Sequence, residues 1–152
     1  GYYGTQKIEV LKKEKKRLEF ILKRPVESIL NYKYNLMLPE GYKNMAELEF
    51  RNDYSMGYPE AFGFRAGTCT PFLFYDINLE VTTPLRIHPY AINSRAFRSI
   101  KDVEVEGRVM EIVAKVKSVD GTLNTVFTNE DFSEYSNAKR NYRILKAINE
   151  ID

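Results

Sequence analysis

The chain has 152 residues, 43% of them apolar and 29% charged, with 23 basic against 21 acidic side chains and a net charge of +2. That balance excludes a nucleic-acid footprint at the level of the whole chain and fits one soluble domain, residues 1–152, long enough to bury a core. Cys69 and His88 are the only residues of their kinds, which excludes an intrachain disulfide and a cysteine-based zinc cluster.

No run approaches eighteen apolar residues and no secretory signal is visible, so the expectation is a chain that neither spans nor enters a membrane, with a cytoplasmic location as the default. Gly1 is not a natural start, so the chain reads as a mature or excised fragment of a longer protein.

The spacing predicts a first helix over residues 6–23. Ile8, Leu11, Leu18, Ile21 and Leu22 fall on one face, and the run Lys12 to Arg17 is a solvated flank interleaved with Glu9, Glu14 and Glu19. Pro25 ends it. Residues 26–34 read as a strand with Ile29, Leu30, Tyr32 and Tyr34 as core candidates. Pro39 is placed as the first residue of a second helix to about Glu49, with Tyr42, Met45, Ala46 and Leu48 inward.

The stretch from Asp53 to Asp76 has no helical period. Gly57, Pro59, Gly63, Gly67 and Pro71 punctuate it, and Phe62, Phe64, Phe72 and Phe74 demand burial. Gly63 and Gly67 bracket Arg65, which suggests a backbone passing close to another surface while presenting one cation. Two readings fit: an aromatic-anchored structural loop, or the wall of a polar pocket. In either, Arg65 is expected to be buried and paired with Asp53 or Asp76, because an unpaired buried guanidinium is very costly.

Residues 84–92 read as one strand with Leu85 and Ile87 alternating against Arg86 and His88, and Pro89 marking an edge or bulge. From Lys101 to Val119, Val105, Val109, Ile112, Val113 and Val116 recur at helical spacing. Asp120-Gly121 is a turn, Leu123–Phe127 a strand, and residues 136–148 a last helix with Ala138, Tyr142, Leu145 and Ile148 inward. The alternation of helices and strands argues for an α/β layer fold.

The segments DYSMGY at 53–58, GFRAGTCTPF at 63–72 and FYD at 74–76 closely resemble a stretch of the polysaccharide deacetylase-like proteins, the NodB-like carbohydrate esterases. The likeness extends more weakly to LPEGYKNMAELEF before it and TPLRIHPY after it. It implies a distorted (β/α) barrel, of which this chain would be the C-terminal half or more. It also implies zinc or another divalent metal on an Asp-His-His set, activating water to remove acetyl groups from a glycan.

The positions that should carry this chemistry are replaced. Tyr3-Gly4-Thr5 stands where the family has His-Pro-Ser, Leu30-Asn31-Tyr32 where it has Arg-x-His, and Phe127-Thr128-Asn129 where it has Trp-His-Asn. The early Asp-rich motif has no counterpart. The resemblance therefore implies a catalytically degenerate relative, with enzyme activity left open, without a bound metal cofactor and with a glycan-facing or structural role. Its pocket candidates are Asp53, Tyr58, Arg65, Thr68, Asp76 and Asn129. The alternative is part of an active deacetylase whose ligands lie on a missing segment or a partner chain.

Other chemistries are weaker. One imidazole is a poor zinc site, so His88 reads as a hydrogen-bonded structural residue. Cys69 lacks any neighbour that would lower its pKa and reads as a small buried apolar residue. Glu130, Asp131 and Glu134 read as a capping cluster for the last helix. A partial barrel leaves sheet edges, so the first strand is expected to pair with a second copy, the helix at 6–23 or a missing segment, with a homodimer the first choice.

Overall fold

The computed structural model describes residues 7–31, 36–134 and 137–149. They form two compact units. One holds the residues up to Met56 together with Thr70–Pro89, and the other holds Gly57–Cys69 and the residues from Tyr90 onward. The chain is a mixed α/β structure, and no closed barrel is formed among the described residues.

In the first unit α1 (Ile8–Leu22), β1 (Ser28–Ile29), α2 (Glu40–Glu47), β2 (Asn52–Asp53), β3 (Phe72–Asp76) and β4 (Val81–Ile87) follow in order. The strands form one sheet ordered β1-β2-β4-β3. β1, β2 and β4 run parallel and β3 runs antiparallel to β4. Leu85 and Ile87 of β4 are buried, as are Tyr42 and Met45 of α2. The Tyr42 ring stands edge-on to Phe74 with centroids 5.2 Å apart, which ties α2 to the sheet. Pro39 takes the N-cap position of α2.

α1 forms where its spacing places it, but its apolar stripe is not buried as expected. Leu11 is buried, whereas Leu18 is 47% and Ile21 62% exposed, and Leu22 is exposed as well. Attachment lies in the middle of the helix. Lys15 donates to the Leu48 carbonyl at 2.8 Å and lies 5.2 Å from the Phe50 ring centroid, and Glu19 accepts from the Val26 amide at 3.1 Å. Lys23 then closes the helix in the left-handed region, its amide bonded to the Glu19 carbonyl.

The strand expected over 26–34 is reduced to Ser28–Ile29, with Leu30 exposed and Asn31 buried. Tyr32 and Tyr34 lie outside the described residues, as does Tyr3. The strand expected over 84–92 is two strands. β4 ends at Ile87, and β5 (Tyr90–Asn93) begins after Pro89 and belongs to the second unit. A proline has no amide hydrogen for a ladder, so pairing stops there and resumes with another partner.

The second unit contains β5, a 3₁₀ turn at Ser94–Ser99, α3 (Asp102–Ser118), β6 (Asn124–Val126), a 3₁₀ turn at Asn129–Phe132 and α4 (Ala138–Asn149). β5 and β6 pair in parallel. Val105, Val109, Ile112, Val113 and Val116 of α3 form a core with Ala91, Ile92, Phe97 and Ile144, and Phe62, Phe64, Cys69, Leu123 and Phe127 pack against it. The aromatic stretch is thus an anchored loop over this part of its length. Gly57 is needed because a Cβ there would sit inside the Tyr90 ring.

On α4 the inward face is rotated from the expected one. Tyr142 is 62% exposed, whereas Asn141 is buried and donates to the Asp131 carbonyl at 2.8 Å. Asn141 can lie inward because that bond satisfies its amide, which leaves the larger phenol free to face water. The first 3₁₀ turn escaped the sequence reading, although Asn93 signals it by accepting from the Arg95 amide at 3.0 Å.

Candidate functional site

Ligands in open α/β sheets sit at the carboxyl ends of parallel strands. Here β1, β2 and β4 end side by side, since Ile29 is in register with Asp53 and Asp53 with Ile87. The next residues stay level, with the Tyr54 amide bonded to the Ile29 carbonyl at 2.9 Å and the His88 amide to the Asp53 carbonyl at 2.8 Å. This edge therefore carries Asn31, Asp53, Tyr54, Ser55 and His88.

The cluster is knit by its own hydrogen bonds. The Asn31 amide donates to Ser55 Oγ at 2.8 Å, the Ser55 amide donates to Asp53 Oδ2 at 3.1 Å, and the Tyr42 hydroxyl donates to the same oxygen at 3.2 Å. Asp53 is 0% exposed, and its second oxygen, Oδ1, has no hydrogen-bond partner among the described residues. Burial dominates over the bonds from Ser55 and Tyr42 and pushes the carboxyl up to about 6.

His88 is half-buried, and its ring stacks on Tyr54 with centroids 4.5 Å apart and planes 14° from parallel. Nε2 lies 2.9 Å from Asn52 Oδ1. A carbonyl oxygen only accepts, so the contact is a hydrogen bond in the tautomer with the proton on Nε2, and in that tautomer Nδ1 keeps a lone pair. Burial, followed by the charge of Arg86, holds the imidazole below its ordinary pKa. The edge thus presents a neutral imidazole acceptor beside an aromatic ring. That suits recognition of hydroxyl groups.

Among the described residues no group of three or more His, Cys, Asp and Glu is placed to hold an ion.

Of the residues singled out in the sequence, Asp53 lies at the centre of this edge. Asp76 is buried at the end of β3, where Oδ1 accepts from the Asn78 and Leu79 amides at 2.9 and 3.2 Å and shapes the turn into β4. Asp76 pairs in register with Val81 and Asp53 with Ile87, so about 20 Å of β4 separates the two carboxylates. They do not share a pocket.

The expectation for Arg65 is overturned. It is exposed, and its turn is closed by the Gly67 amide bonded to the Phe64 carbonyl at 3.1 Å. Gly63 and Gly67 have φ of +111° and +70°, and nothing lies within 4 Å of a Cβ built on either. The glycines serve a positive backbone angle and not a close approach, and the turn lifts the guanidinium into water.

Tyr58 and Asn129 are exposed and Thr68 is half-buried, all three in the second unit. Asp131 caps its own 3₁₀ turn, with Oδ2 accepting from the Thr128 amide at 2.6 Å and from the Ser94 hydroxyl at 2.6 Å. Asp131 is therefore a cap of this turn.

Sequence reasoning missed Tyr42, Ser55, Asn31 and Tyr54 as partners of the site. The available signal was positional for three of them, because β1 ends two residues before Asn31 and β2 ends one and two residues before Tyr54 and Ser55.

No protein-family model, curated protein or solved structure matches the chain. Among the described residues no helix is long and apolar enough to cross a membrane.

Proposed function

We propose that the chain is a catalytically degenerate polysaccharide deacetylase-like domain, part of a distorted (β/α) barrel, which binds a glycan at the carboxyl edge of β1, β2 and β4 without cleaving it. The observation that carries this reading is the His88–Tyr54 pair, whose neutral imidazole leaves Nδ1 able to accept from a sugar hydroxyl beside an aromatic face. Deacetylation in the resembled family needs a metal-held water, and this chain has a single histidine. The Asn31–Ser55–Asp53 chain of bonds supports the edge.

The test is titration of chitooligosaccharides into the protein and into His88→Ala, followed by calorimetry. Binding to the parent that is lost or weakened at least about tenfold in the variant is expected. Equal affinity in both would remove the edge from consideration.

A second reading, an active metal-dependent deacetylase completed by another segment or chain, draws on the unpartnered Asp53 Oδ1, an oxygen that a group from elsewhere could meet. Stoichiometric zinc together with acetate release would favour it.

A further inference from the structure

Beyond glycan binding, we infer that the edge strand β3 and the hairpin it forms with β4 are a self-association surface, on which β3 of a second copy of this chain pairs antiparallel. β3 lies at the end of the sheet order, with β4 as its one neighbour in that sheet among the described residues. Natural edges are usually blunted by lysine, proline or a bulge in the edge strand itself. The sequence of β3, FLFYD, contains neither lysine nor proline.

The irregularity of this hairpin falls on the other strand. Leu73 pairs with Arg86 and Tyr75 with Thr82, so Phe74 alone faces Thr83, Pro84 and Leu85. β4 absorbs the bulge around its proline, and the Phe74 carbonyl is served by the Thr83 hydroxyl at 3.0 Å. β3 is left regular, as a template for a further strand.

The side chains along this edge are apolar and open. Phe72, Leu73 and Tyr75 are exposed, and at the tip Ile77 is 78% and Leu79 70% exposed, with Val81 beside them. The tip is held in shape by the Asp76 carboxylate, so its aliphatic side chains are presented at little further entropic cost. Together these residues expose on the order of 600 Å², close to the roughly 800 Å² that each partner of a stable complex contributes.

A two-fold axis at Phe74 places Leu73 opposite Tyr75 of the partner subunit and Tyr75 opposite Leu73 of the partner subunit. Both belong to the same face of β3, so the contact is complementary to itself.

A second apolar patch exists on α1, formed by Leu18, Phe20, Ile21 and Leu22. It is flanked by Lys16, Arg17, Lys23 and Arg24, against Glu19 alone. A two-fold contact would bring those cations against their own copies, and like charges facing each other oppose association. Apart from the buried Asp76, the hairpin carries Glu80 and Arg86, one exposed charge of each sign. Charge therefore selects β3 for the second copy.

Light scattering on the whole chain across about 1 to 100 micromolar tests this, together with Leu73→Lys, Tyr75→Lys and, on α1, Ile21→Lys. All three positions are exposed, and circular dichroism confirms folding. Twice the chain mass is expected, with dissociation at least about tenfold easier in the two β3 variants and unchanged in Ile21→Lys. Amide exchange over Phe72–Asp76 should also slow as concentration rises. A monomer throughout, or a dimer that only Ile21→Lys weakens, or one that no variant weakens, would overturn the inference.

Discussion

Helices α1 and α3 differ in fate more than in sequence pattern. Each carries an apolar stripe at helical spacing among charged neighbours, over 15 and 17 residues. All the stripe positions of α3 are buried, whereas α1 buries Leu11 and leaves Leu18, Ile21 and Leu22 in the open. The period of a stripe shows that a helix forms and which face is apolar. Burial depends on what the rest of the fold brings to that face, and α3 has α4, Phe97 and the aromatic loop to meet it.

That contrast fixes the largest expected effect. Ile144, which is buried in the α3 core, should cost about 2–5 kcal/mol when replaced by alanine, the range for a large-to-small change in a packed interior. Ile21→Ala on α1 should change stability by less than about 0.5 kcal/mol. Chemical denaturation of the two variants decides the matter, and similar losses in both would show that α1 is covered in solution.

The buried carboxyl of the first unit supplies the next. A rise from 3.8 to about 6 corresponds to about 3 kcal/mol, at roughly 1.4 kcal/mol per unit. The folded state holds this proton more tightly than the unfolded chain does. The contribution is therefore complete below about pH 4 and is lost as the pH rises through about 6. Asp53→Asn should be more stable than the parent at pH 7 by up to about 3 kcal/mol, and the difference should vanish near pH 4. Melting curves across that window check it, and a variant that is less stable at pH 7 would place a cation or donor on Oδ1.

A smaller effect is expected at Asp76, whose carboxylate accepts two turn amides. Asp76→Ala should cost about 1–2 kcal/mol and speed amide exchange at Asn78 and Leu79. Smallest of all is Arg65→Ala. An exposed side chain on a glycine turn should shift stability by less than about 0.5 kcal/mol, and a larger loss in thermal denaturation would mean that the guanidinium finds a partner in solution.

Much of the second unit was legible in the sequence. α3 lies within a residue of its expected bounds because Val105, Val109, Ile112, Val113 and Val116 share one period and one core. β6 and α4 were also foreseen, though the inward face of α4 was not, since Asn141 is admitted to the interior by a bond to a carbonyl ten residues away. β1 and β2 are two residues each and exist through pairing with one another and with β4, so local pattern could not define them.

The candidate site was legible only at Asp53. Its partners Tyr42 and Ser55, and the Asn31 amide on Ser55, are joined through space across as many as 24 residues of sequence. Arg65 misled because glycines signal either a close approach or a positive backbone angle, and only the backbone distinguishes the two.

The central claim is that the carboxyl edge of β1, β2 and β4 recognises a glycan without hydrolysing it. The most direct measurement incubates the protein with excess zinc and acetylated chitooligosaccharides, following ligand shifts and free acetate in the same NMR sample. Saturable perturbation of the sugar resonances, absent with His88→Ala and with no acetate above the protein-free control, is the predicted result. Acetate released in proportion to enzyme and zinc would contradict it.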